Sequence, residues 1–231
     1  MPELVLAAEA GANRFVWDMR FPAAHKMPGD KTTEDIVSGP LASPGTYQAR
    51  LMVDGQTQTQ TFEIVKDPRV PASQADFDAQ FQLLMQIRDK LSQTHDSIND
   101  LRSVRRQVDE WEQRAEGRPS ADVISASAAS LKEHLSVVED ELIQVGYKGA
   151  RDRLHLPVKL NRKLAELIAV VSNADFDPPQ QAYQVFEDLG SRIDTQLTSL
   201  RAIMDQEVPR FTNLVHEMQI PAIVPNAGRP R

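Results

Sequence analysis

Along the first 65 residues the apolar positions tend to alternate with polar ones, and from Ser73 onward they recur at three-four spacing for about 150 residues. The change falls at Lys66-Asp67-Pro68-Arg69-Val70-Pro71. There two prolines fix φ, remove backbone donors and push their predecessors towards extended backbone, so neither a strand nor a helix passes through. The hexapeptide reads as a hinge between a β part, residues 1–70, and a helical part, residues 71–220, with 221–231 as a proline-containing tail that trails over the surface or is disordered.

In the β part, Glu3–Ala8 is a short apolar run that predicts a first strand, and Gly11-Ala12-Asn13 supplies turn chemistry. Asn13–Arg20 alternates, with Phe15, Trp17 and Met19 on one side, and predicts a half-buried strand with Trp17 in the core. Phe21–Pro44 is rich in proline and glycine with little apolar pattern and reads as a long surface loop. Tyr47, Ala49, Leu51 and Val53 then alternate up to Asp54-Gly55, and a Thr-rich run ends in Phe62 and Ile64. A two-residue Asp-Gly loop needs positive φ at both positions and predicts a type I′ hairpin that sets Val53 against Gln56 and Tyr47 against Phe62.

In the helical part, Ser73 with Asp76 three residues on predicts a capping box. Phe77, Phe81, Leu84, Ile87, Leu91, Ile98, Leu101, Val104, Val108 and Trp111 extend one helix of about 43 residues, roughly 64 Å, to Gly117-Arg118-Pro119. Ser120 caps a second helix to Val145 with Leu131, Leu135, Val138 and Leu142 inward, and Gly146-Tyr147-Lys148-Gly149 stops it. A third runs over Pro157–Ser172, and a fourth over Asp177–Met218 with Asp177 as N-cap, Pro178 at the first helical position and a kink at Pro209. The fold class is thus α+β, a small antiparallel β unit followed by a long antiparallel bundle of three rods or four helices.

Composition narrows the function. The 231 residues are 41% hydrophobic but only 6% aromatic, which suits an Ala/Leu-rich bundle. A net charge of −7 without a long basic run argues against a nucleic-acid partner. Cysteine is absent, which excludes disulfides and thiolate sites. No apolar run approaches the roughly 18 residues of a membrane span, and residues 1–12 lack the basic start and apolar run of a signal peptide, so the expectation is a chain with no membrane segment and no export signal of its own.

The candidate chemistries fail one by one. A glycosidase needs two carboxylates across a cleft, but Asp89, Asp96, Asp100, Glu110, Glu139 and Asp140 fall on helix faces opposite the apolar stripe and read as solvated. The histidines His25, His95, His134, His155 and His216 show no metal-ligand spacing and read as surface or cap residues. There is no Gly-x-Ser-x-Gly elbow and no phosphate loop opening a helix. Arg102, Arg105 and Arg106 are interleaved with Asp100, Asp109 and Glu110, and Lys159, Arg162 and Lys163 with Glu166, as ion-paired helix faces are. The residues assign no catalytic, cofactor-binding or metal position, and no cofactor.

The run Gly11–Arg20, the Pro44-Gly45-Thr46-Tyr47 turn into the hairpin, the Lys66-Asp67-Pro68-Arg69 hinge and Leu160-Asn161-Arg162-Lys163-Leu164-Ala165 together resemble the C-terminal region of bacterial sortilin-like proteins. Those proteins carry VPS10-like BNR-repeat β-propellers and bear the label glycosyl hydrolase. The resemblance covers nearly the whole chain and implies an exported protein whose β part is a small Ig-like module of the hook-capping-protein kind. It also implies a protein partner, a propeller domain or a neighbouring subunit. No propeller repeat exists in this chain, so no catalytic residue carries over. Three functions follow as expectations: a non-catalytic accessory or interaction module; a carbohydrate-binding appendage using Trp17, Tyr47 or Tyr147 as a platform; and a fragment of a glycoside hydrolase whose active site lies in a missing propeller.

Overall fold

The Asp54-Gly55 loop dictates the sheet. In the computed structural model both residues take left-handed conformations, φ 49° and 77°, and β1 (Gly45–Val53) pairs antiparallel with β2 (Gln56–Ile64). The register is the one that the loop length requires, with Val53 opposite Gln56 and Tyr47 opposite Phe62. The structure describes Leu6, residues 9–33 and residues 36–222. Apart from Leu6, the expected strand at Glu3–Ala8 lies outside the described residues, as does the tail beyond residue 222.

The expected strand at Asn13–Arg20 does not form. Met19 turns left-handed at φ 60°, which breaks the extended path, and among the described residues the stretch makes one bridge, Arg20 to Leu41. Around that bridge two segments lie almost in contact: Phe21 N–H donates to Pro40 O and Ala42 N–H to Met19 O, each at 2.8 Å, and Arg20 Nη1 reaches Gly39 O at 2.8 Å. A Cβ on Gly39 would stand 1.6 Å from Phe21 O, so glycine is required there by contact.

Among the described residues four helices follow the sheet, giving an α+β fold. The first is α1 (Gln74–Ala115), opened by the expected reciprocal box in which Ser73 N–H donates to Asp76 Oδ2 at 2.7 Å and Asp76 N–H to Ser73 Oγ at 3.3 Å. Gly117 ends it at φ 73°. Next comes α2 (Ala121–Leu142), where Ser120 holds the cap position without a side-chain cap bond, so the expected Ser120 cap is made by backbone alone. A 3₁₀ turn, Ala150–Leu154, leads to α3 (Leu160–Val171). The fourth helix comprises α4 (Gln180–Ala202), a π turn (Ile203–Glu207) and α5 (Val208–Glu217). Pro209 has no N–H and its ring crowds the preceding turn; the chain answers with a π turn, in which Val208 N–H reaches back five residues to Ile203 O.

By contact the chain divides into two units. One comprises Met1–Ala24, Ile36–Leu91 and Leu164–Glu187, and the other His25–Asp35, Ser92–Lys163 and Asp188–Arg231. The hinge at residues 66–71 marks the change from strand to helix inside the first. In that unit Leu83, Leu84 and Ile87 are buried on α1 and Leu164, Leu167 and Ile168 on α3, while Phe21 packs on Phe81 with ring centroids 4.9 Å apart. Gln80 Nε2 ties α1 to the end of α3 through Val171 O at 2.8 Å and Ala174 O at 2.6 Å. In the second unit Ile98 and Leu101 are fully buried on α1, as are Leu135 and Leu142 on α2 and Ile193 on α4, and α2 packs on α5 and the π turn.

Candidate functional site

The hairpin is the feature that the core does not absorb. Its odd residues on β1 and even residues on β2 share one face, because side chains alternate along a strand. At the base of that face Trp17 sits against Tyr47 and Phe62, with centroids 6.0 and 6.2 Å away, and Tyr47 stacks on Phe62 at 5.9 Å. Trp17 Nε1 donates to Arg20 O at 2.9 Å and the Tyr47 hydroxyl to Ser43 O at 2.7 Å, so both polar tips are satisfied. Burial, then the charge of Asp78, raises the Tyr47 phenol above its usual range. Towards the tip the cover ends: Leu51 and Val53 are 54% and 55% exposed, and Met52 on the other face is 51% exposed. Phe15, Val16, Met19 and Leu41 of the same unit are also exposed. Trp17 is half-buried at the edge of this cluster, not the core residue that its alternation predicts.

The first unit also holds a solvent-open cleft of ≈ 270 Å³ beside Arg20, Pro40, Lys66, Phe81 and Ile168. Its cations serve the backbone. Arg20 holds Gly39 O, and Lys66 Nζ donates to Ala72 O at 2.7 Å.

In the second unit the segment 25–33 is pinned by buried polar groups. Asn161, 0% exposed, donates from Nδ2 to Thr32 Oγ1 at 2.7 Å, and Arg162, 3% exposed, donates from Nη1 to Thr32 O at 2.8 Å. Thr32 Oγ1 in turn donates to Asp30 Oδ1 at 2.6 Å, and the Thr33 hydroxyl donates to Asp30 Oδ2. Burial alone would raise the Asp30 carboxyl, but the Thr32 and Thr33 hydroxyls and the Thr32 N–H outweigh it and hold it below the usual aspartate range. His95, 1% exposed, places Nδ1 2.6 Å from His25 O. A carbonyl only accepts, so Nδ1 carries the proton, and burial pushes the imidazole below its ordinary pKa. His95 Nε2 and Asn161 Oδ1 are buried acceptors without a donor among the described residues.

Three further ion contacts join helical elements of this unit. Glu139 on α2, 3% exposed, accepts from Arg102 Nε at 2.7 Å and from Arg105 Nη1. Lys132 Nζ reaches Asp109 at 2.9 Å and Glu112 at 2.6 Å. His134 Nδ1 lies 2.7 Å from Glu207 Oε2 in the π turn, and that carboxylate raises the imidazole above its ordinary pKa.

Several sequence expectations change accordingly. His95 is a core residue rather than a surface or cap one, whereas His25, His134, His155 and His216 are exposed. Glu139 is buried between guanidinium groups, while Asp89, Asp96, Asp100, Glu110 and Asp140 are exposed as read. Arg102 and Arg105 pair with α2 instead of along their own helix, and Arg162 faces inward with Asn161 instead of lining a solvated face. Tyr147 is 8% exposed and offers no platform. The Gly146–Gly149 segment does stop the helix, and Asp152 Oδ2 takes the freed N–H groups of Lys148 and Gly149, which lowers its pKa.

Two carboxylates, Asp67 and Asp175, line the cleft of the first unit, and Asp67 is paired with Arg69 at 2.6 Å. Among the described residues no three His, Asp or Glu side chains could hold one metal ion, and no helix is long and apolar enough to cross a membrane. No protein-family model, curated protein or solved structure matches the chain.

Proposed function

We propose that this chain is a non-catalytic interaction module whose β-hairpin receives another polypeptide, as the accessory end of a sortilin-like propeller protein would. The observation that carries the reading is the uncovered hairpin face. An isolated two-stranded sheet is marginal in water, and a sheet with one apolar face is stable when a second layer covers it. Here Trp17 covers the base of that face, while Leu51 and Val53 stay open near the tip. A partner supplying the second layer would complete an Ig-like sandwich, the module that the resemblance implies. A carbohydrate-binding appendage is the weaker reading, because Trp17 is inclined by 58° to Tyr47 and 77° to Phe62, which leaves no flat platform for a sugar ring.

The test is site-specific photo-crosslinking in the cells that make the protein, with p-benzoylphenylalanine at Leu51 or Val53 and, as a control, at Leu154, which is 81% exposed. Adducts of one defined mass from the hairpin positions and none from Leu154 are expected. Absence of an adduct from both hairpin positions would sink the reading.

A further inference from the structure

We infer that the outer edge of β2 pairs with the same edge of a second copy of this chain, joining two hairpins into one four-stranded antiparallel sheet. The inference rests on the reading of the hairpin as an interaction element and assigns its free edge.

Among the described residues β2 is hydrogen-bonded to β1 alone. In the turn the Val53 carbonyl accepts the Gln56 N–H, and hydrogen-bonded pairs then alternate along the ladder. Gln58, Gln60 and Phe62 therefore face β1, and Thr57, Thr59 and Thr61 turn their N–H and C=O groups outward, where the solvent-exposed Gln60 Nε2 donates a long bond of 3.3 Å to the Thr61 carbonyl that pairing would replace. Natural sheets blunt such an edge with lysine, proline or a bulge. Here Gln56–Phe62 holds no charge, proline or glycine, and the register runs without a bulge.

The edge is also complementary to itself. Antiparallel pairing about a two-fold axis at Thr59 sets Thr57 against Thr61 of the second copy, Gln58 against Gln60 and Gln56 against Phe62. Thr–Thr and Gln–Gln neighbours form cross-strand hydrogen bonds, and no like charges meet. Glu63, the charge at the far end of the strand, falls opposite Gly55 in the turn. Because opposed residues in a sheet share a face, the pairing lays Leu51 and Val53 of both copies on one surface. The apolar face proposed above is thereby doubled without being covered.

The absence of cysteine makes the test direct. Thr59→Cys introduces a single thiol that meets its own copy at the two-fold axis, at a Cα separation of about 5.5 Å, within the range that a disulfide spans. Mild oxidation should give a covalent dimer, and Gln48→Cys on the outer edge of β1 should not. The unsubstituted chain should sediment as a concentration-dependent dimer. Thr59→Lys, which sets a lysine against itself, should return it to monomer with unchanged helical circular dichroism. A parent that remains monomeric at all concentrations, or a Thr59→Cys chain that crosslinks no faster than Gln48→Cys, overturns the self-pairing. If a photo-adduct to a different polypeptide forms at Leu51 alongside such a result, the interaction reading stands and the self-pairing alone falls; with no adduct either, both fall.

Discussion

Replacing Glu139 with alanine should destabilise the second unit by about 2–4 kcal/mol. The carboxylate is 3% exposed and accepts from Arg102 Nε at 2.7 Å and from Arg105, whose Nη2 also donates to Ser136 Oγ at 3.0 Å. Truncation leaves two guanidinium groups facing each other across a void. Removing one partner of a fully buried ion pair costs about 3–5 kcal/mol, but the arginine side chains are 28% and 27% exposed, so water recovers part of that penalty. The same physics predicts that Glu139, Arg102 and Arg105 all changed to methionine cost far less than Glu139→Ala alone, because no charge is then left buried. The assay is urea unfolding followed by fluorescence of Trp111, which belongs to the second unit, in a Trp17→Phe background that silences the other tryptophan. A Glu139→Ala midpoint equivalent to less than about 0.5 kcal/mol, the range of an ordinary surface substitution, would refute the clamp.

Other outcomes follow from contacts elsewhere. Gly39→Ala places a Cβ 1.6 Å from Phe21 O and should cost more than about 2 kcal/mol, whereas Gly190→Ala, in α4 with nothing within 4 Å, should stabilise by about 0.5–1 kcal/mol; paired thermal melts check both signs. His95 titrates below its ordinary value in the fold, so as pH falls through about 6.5 the unfolded chain binds the proton first and stability declines until the folded pKa is passed. His95→Gln should make the stability profile shallower below about pH 6.5, read by urea titration at each pH; an unchanged slope would contradict it. The purified chain should hydrolyse no aryl-glycoside or sialoside above a buffer control, and turnover abolished by one Asp or Glu substitution would overturn the non-catalytic reading.

Local chemistry made much of the fold legible. Asp54-Gly55 dictates a turn type and hence a register, Ser73 and Asp76 cap α1 reciprocally, and the three-four rhythm carries α1 for 42 residues. Long-range pairing was not legible. Asn13–Arg20 has the alternation of a strand but, among the described residues, no neighbouring strand to pair with, and alternation cannot supply one. The buried polar residues did leave a trace. His95 lies four residues after Leu91 and three before Ile98, and Glu139 four after Leu135 and three before Leu142, so both interrupt an apolar stripe at core positions. Asn161 and Arg162 are harder to find, since what buries them is a segment about 130 residues away in the chain whose prolines and glycines read as loop. The open hairpin face could not be foreseen either, because an alternating pattern shows which face is apolar and never what covers it.

The central claim is that the hairpin face is covered when the protein is at work. Hydroxyl-radical footprinting tests this directly by comparing modification of Leu51 and Phe62 in the dilute purified chain with modification in the cells that make it, normalised to Leu154. Leu51 and Phe62 are 54% and 38% exposed in the chain alone and should react readily there. In the cell both should be protected several-fold while Leu154 is unchanged. Equal reactivity of Leu51 and Phe62 in the two settings would contradict the account.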